Sequence, residues 1–175
     1  MTRTVRYRVA QFLQALTAQQ AVSEQRVKRA IEILPPEART LFVQQAPQDQ
    51  LHALSVYETL LEEDHANEDL LAAALLHDVG KAVSPASPLQ RGVFVLAERF
   101  TPQTLARLVR ARDGDRGGPL VTYANHAEIG ARRAEEAGCS PLTVELIRHH
   151  ELPLEACRTE RDRMLAALQA ADDIN

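Results

Sequence analysis

Ala, Leu, Glu, Gln and Arg dominate this chain, and β-branched or aromatic runs are few, so the texture is helical from end to end. Residues 4–32 predict one or two amphipathic helices that end before Pro35-Pro36. Pro36 then opens a helix over PEARTLFVQQ, and Pro47 opens the next, which carries LHALSVYETLLEE. Proline suits the first helical position because its fixed φ is already helical and its missing N–H would go unused there. Asn67 fits an N-cap for EDLLAAALLHDVG, with Gly80 closing that helix. Ser87-Pro88 and Thr101-Pro102 start two more, and DGDRGGP, residues 113–119, reads as the clearest loop. Asn125 with Glu128 marks a start and Gly138 a stop; Ser140-Pro141 opens LTVELIRHHEL, and a last helix runs from about Thr159 to the C-terminus. The predicted class is all-α, with about nine helices and no strand.

Within that pattern AAALLHDVGK, residues 72–81, is unusual. A helix this apolar is buried on nearly every face, yet it ends in His77 and Asp78. Histidine complements the negative end of the helix dipole, whereas aspartate opposes it. An ionised carboxylate in such a place is costly unless a cation or hydrogen-bond donors meet it. A metal held jointly with His77 supplies that partner.

The 175 residues suit one domain with a sizeable core, and 45% hydrophobic with 25% charged residues is ordinary for a globular protein. A net charge of −4 argues against a general nucleic-acid binder, but not against a small phosphorylated ligand held at a metal. Cys139 and Cys157 form neither a metal pattern nor a disulfide framework, which suits a reducing interior. No segment has the apolar length of a membrane span, and MTRTVRYRVAQ lacks the apolar core of a signal peptide, so the cytoplasm is the expected location.

Placed on these helices at 100° per residue, the other histidines gain meaning. His52 borders the apolar arc of Ala53, Leu54, Val56, Tyr57, Leu60 and Leu61. His126 falls in the first turn of its helix, with Gly130 one turn on, and a glycine inside a helix commonly marks a close approach to the backbone. His150 follows Leu146 and Ile147 on the buried face, and His149 lies nearer the edge. Asp172 continues the stripe of Met164, Leu165 and Leu168, while Asp173 turns to the polar side. His65, in EEDHANED, reads as a solvated loop histidine.

In order these are His52, His77-Asp78, His126, His149-His150 and Asp172, carried by DQLHALSVYETL, AALLHDVGK, NHAEIGARRAEEAG, LIRHHE and LQAADDIN. Together they resemble the HD-domain superfamily of metal-dependent phosphohydrolases over about residues 48–175, and the HAEIGA and HHE segments resemble its two-metal branch. The resemblance implies an all-α bundle around a central metal site. It implies a first ion held by His52, His77, Asp78 and Asp172, with Asp78 bridging to a second held by His126 and His150, His149 being a further candidate. Fe or Mn suits such a ligand set best, with Zn or Mg as alternatives. A water between two such cations is readily deprotonated and can attack phosphorus in line. Lys81 matches the family lysine that contacts a phosphate oxygen.

Two departures narrow the resemblance. LPLEACRTE follows HHE where the cyclic-dinucleotide branch has Gly-Tyr-Pro, and Gln48 stands where some members place a glutamate for a third metal. The expected substrate is a small, nucleotide-like phosphorylated molecule, and similarity to a bacterial family makes dinucleoside polyphosphates the first to try. The same ligands also serve di-iron HD-fold oxygenases, and a catalytically silent binding module is a further reading. Residues 1–46 are expected as a helical extension packing on an HD domain of residues 47–175. Arg3, Arg6 and Arg8 read as a solvated face, a homodimer contact or a lid, and Arg132, Arg133 and Arg148 lie near the expected ligands.

Overall fold

The computed structural model describes residues 24–84, 86–101, 118–154 and 156–175. The helices expected within residues 4–23 and after Pro102, and the loop over residues 113–117, lie outside the described residues. Those described are all-α. The order is α1 (Glu24–Ile31), α2 (Pro36–Gln44), α3 (Pro47–Glu62), α4 (Glu68–Leu76), a 3-10 helix (Val79–Val83), α5 (Pro88–Phe100), α6 (Gly118–Ala124), α7 (His126–Glu136), α8 (Pro141–His149) and α9 (Glu160–Asp173).

The helix starts follow local chemistry. Pro36 and Pro47 occupy the first turns of α2 and α3. The Asn67 side chain accepts from the Leu70 N–H at 3.1 Å, Ser140 from Thr143 at 3.0 Å, and Ser87 and Gln90 form a reciprocal capping box. Thr159 and Asp162 do the same for α9. Gly138 ends α7 with a left-handed φ of 80°, and the Cys139 N–H returns to the Ala134 carbonyl.

Every residue of α4 from Leu70 to Leu76 is buried, which places this helix at the centre. Helices α1, α2, α3, α8 and α9 pack around it. They bring Ala30, Phe42, Leu54, Leu60, Ile147 and Leu168 into the same cluster. Burying one such leucine or phenylalanine contributes roughly 1.5–3 kcal/mol. Residues 24–46 therefore share the core of the rest.

Three local expectations change. The α-helix expected to run to Gly80 stops at Leu76. His77 keeps helical dihedrals, Asp78 sits at φ −96°, ψ 2°, and the chain tightens into the 3-10 helix with Lys81 N–H bonded to the Asp78 carbonyl at 2.9 Å. Gly80 is needed there for its lack of a side chain: a Cβ would fall 2.0 Å from the His126 carbonyl oxygen. Secondly, Asn125 precedes α7 but gives it no side-chain cap; its amide donates back to the Val121 carbonyl at 2.9 Å. Helix α6 ends one residue earlier, and the Asn125 backbone N–H donates to the same carbonyl at 3.1 Å. Thirdly, Gly118 and Pro119, expected in the loop, begin α6.

Candidate metal centre

A helix leaves its last carbonyls without intrahelical partners, and three histidines of this chain take them up. His77 Nδ1 lies 2.9 Å from the Ala74 carbonyl oxygen at the end of α4, and His150 Nδ1 lies 2.8 Å from that of Ile147 at the end of α8. His126 Nδ1 lies 2.7 Å from the Tyr123 carbonyl oxygen in the last turn of α6. A carbonyl oxygen only accepts, so each Nδ1 carries a proton, and in its neutral form each ring presents a lone pair at Nε2. The Leu75 carbonyl is met by the amide of buried Gln45, which ties α2 to this end of α4.

The Nε2 atoms converge with two carboxylates in two triads, His52–His77–Asp172 and Asp78–His126–His150, whose donor atoms lie within 4.8 Å of one another. In the first triad, Asp172 Oδ1 is 2.8 Å from His52 Nε2 and 3.5 Å from His77 Nε2. In the second, Asp78 Oδ1 is 3.2 Å from His126 Nε2 and 3.9 Å from His150 Nε2. The other Asp78 oxygen, Oδ2, lies 3.7 Å from His77 Nε2, so the carboxylate faces both triads. Adjacent rings are edge-on, with centroids 5.1–5.3 Å apart from His52 through His77 and His150 to His126.

The site's electrostatics call for positive charge. Burial opposes ionisation of Asp78, but His77, His126 and Lys81 outweigh it and hold the carboxyl well below its usual range. Burial likewise opposes ionisation of Asp172, and the contacts with His52 and His77 again keep it low. Burial disfavours a charge on His77 too, yet Asp78 and Asp172 raise its pKa above the ordinary imidazole value. His150 goes the other way, pushed down to about 4 by burial and by its neighbours His77 and His126.

His77 Nε2 and His126 Nε2 are buried and make no hydrogen bond. At His126, Nε2 lies 3.2 Å from an Asp78 carboxylate oxygen, a contact that a proton or a metal ion between the two atoms makes favourable. Donor atoms sharing one ion at bond lengths near 2.1 Å lie roughly 3.0–3.5 Å apart. The imidazole and carboxylate donors of both triads fit a divalent metal in type, their spacings of 2.8–3.9 Å bracket that range, and three of the four histidines anchor Nδ1 on a carbonyl as ligating histidines commonly do.

The second triad rests on a backbone contact that Gly130 and Gly80 make possible. A Cβ on Gly130 would meet the Gly80 nitrogen at 3.2 Å and Val79 Cγ1 at 3.4 Å, so the 3-10 helix and α7 lie nearly backbone to backbone. Arg133 fastens the same junction, donating to the Val79 carbonyl and to Gln44. Arg148 pairs with Glu128 across α8 and α7. Lys81 Nζ lies 2.6 Å from Asp78 Oδ2 at the rim of the site.

His149 stands in neither triad; it lines a cleft between the segment after α8 and the start of α9, with Leu152, Leu154, Arg158 and Leu165. His65 lies in the connection after α3, 3.9 Å from Glu63. Asp173 is exposed, whereas Asp172 turns inward. One side chain given no role from sequence also reaches the site: Glu151 Oε1 lies 3.5 Å from His126 Nε2. Its one signal was its place directly after His150.

A family model described as "HD domain" matches residues 51–174, well over half of the chain. The chain belongs to the HD-domain family. The match spans both triads of this HD domain and leaves α1 and α2 outside it, although their apolar residues share its core. No curated protein and no solved structure matches it. Among the described residues, no helix is long and apolar enough to cross a membrane.

Proposed function

We propose that this HD domain is a metal-dependent phosphohydrolase that cleaves a phosphoester or phosphoanhydride of a small, nucleotide-like molecule. The observation that carries the reading is the pair of triads facing one carboxylate, Asp78, with buried histidine Nε2 atoms turned on carboxylate oxygens. Two divalent ions, when bound, supply the charge that acidifies water and that stabilises phosphoryl oxygens during in-line attack.

The protein's own part is orientation. Ala74, Tyr123 and Ile147 hold three imidazoles by their Nδ1 protons, so the rings cannot turn their lone pairs away. Burial of His77, Asp78, His126 and His150 closes the inner side to solvent, while His52 and Asp172 remain partly exposed. Lys81, about a quarter exposed, can exchange Asp78 for a phosphate oxygen at the rim. Imidazole with carboxylate favours Fe or Mn, with Zn and Mg as weaker choices.

The test is turnover of dinucleoside polyphosphates and simpler phosphoesters by Mn-loaded protein under nitrogen. Phosphate or nucleotide release without oxygen is expected, and its abolition by Asp78→Ala. Iron-dependent oxygen uptake with no hydrolysis would replace this reading by an oxygenase, and metal binding without either reaction by a binding module.

A further inference from the structure

The two triads are unequal in donors. The first has Asp172 as a carboxylate of its own beside two imidazoles, with Asp78 shared; the second has two imidazoles and only the shared Asp78. Glu151, in the turn that follows α8, lies outside the triad and approaches it at His126. Its Oε1 is 3.5 Å from His126 Nε2, and Asp78 Oδ1 is 3.2 Å from that same nitrogen. His126 Nε2 is buried and makes no hydrogen bond, and the Nδ1 contact with the Tyr123 carbonyl aims it at these oxygens. One imidazole nitrogen thus meets two carboxylate oxygens at the spacing that donors around a single ion adopt.

We infer that Glu151 is the outer carboxylate ligand of the second metal position, completing a set of Asp78, His126, His150 and Glu151. This rests on the two-metal reading above. The two positions then match in donor type, each with two imidazoles, one carboxylate of its own and the shared Asp78. They differ in access, because the Glu151 side chain is 52% exposed while His126 and Asp78 are buried. A carboxylate on a turn, reaching in from solvent, makes the second position the one that opens. It can release its ion, or make room for a substrate oxygen, without disturbing the buried ligands. Total charge agrees: three carboxylates against two divalent ions leave one positive charge for an anionic substrate.

The experiment titrates Mn(II) into chelator-stripped protein, wild type against Glu151→Ala and Glu151→Gln, by calorimetry and by low-temperature EPR. Helix content by circular dichroism checks the fold, which a half-exposed turn residue should leave intact. Wild type is expected to bind two equivalents with a spin-coupled pair signal. Both variants should keep one equivalent at wild-type affinity and bind the second about 10-fold more weakly or worse, with the coupled signal reduced. Identical isotherms for all three proteins would overturn the role of Glu151 and leave the two-metal reading standing. Equal weakening of both equivalents would also overturn it. Wild type that binds one ion or none would overturn both.

Discussion

The two triads are built from the same chemistry and held in opposite ways. His52–His77–Asp172 joins α3, α4 and α9, is open to solvent at His52 and Asp172, and has a contact of its own at 2.8 Å. Asp78–His126–His150 is buried throughout, hangs on a backbone contact between two glycines, and leaves His126 Nε2 without a partner. Without metal, the first keeps the short His52–Asp172 contact while the second has none shorter than 3.2 Å, and each leaves one buried imidazole nitrogen without a hydrogen bond. The second is therefore the part of the fold that depends most on a cation.

Removing the residue common to both should have the largest effect. Asp78→Asn should lower hydrolysis by ~10³-fold, taking several kcal/mol for metal-ion stabilisation at 1.36 kcal/mol per decade. Elemental analysis should find fewer than one ion per chain. Gly80→Ala separates the triads, because its Cβ collides with the His126 carbonyl. About one equivalent should remain, with stability reduced by about 1–3 kcal/mol in chemical denaturation. Retention of both ions would break the comparison.

His52→Ala acts on the first triad alone and more mildly. Both side chains of the His52–Asp172 pair are partly exposed, at 27% and 31%, so its loss should cost no more than about 1 kcal/mol. That is a melting temperature lower by ~2–4 °C. The Asp172 carboxyl is depressed in the folded state, so its stabilisation is present above the ordinary carboxylate pKa and fades as pH falls through the folded value. The variant should lose less stability on acidification than wild type, read from melts at pH 7 and pH 3. The smallest effect belongs to His149→Ala, outside both triads: two ions retained and stability within about 0.5 kcal/mol.

Much of this centre was legible because helical periodicity carries burial. The stripe through Leu165 and Leu168 placed Asp172 inward and Asp173 outward, and the apolar run before His77 marked the central helix. His149 and His150 were harder to separate, since adjacent residues at a helix end both look inward until the final turn is built. The end of α4 was misread for a related reason. Gly80 has the sequence signature of a helix stop, but its role is a contact with a backbone 46 residues away, which no local pattern encodes. The place of Glu151 depends on a turn after α8, and turns do not repeat with a period.

The central claim is that two triads facing Asp78 hold two ions. Its most direct test is metal content per chain, by elemental analysis, of protein purified without chelator and of stripped protein reloaded with Mn or Fe. Two equivalents are predicted in wild type and about one in Gly80→Ala. A wild type that stays at one equivalent after reloading, or that takes up none, would contradict the account.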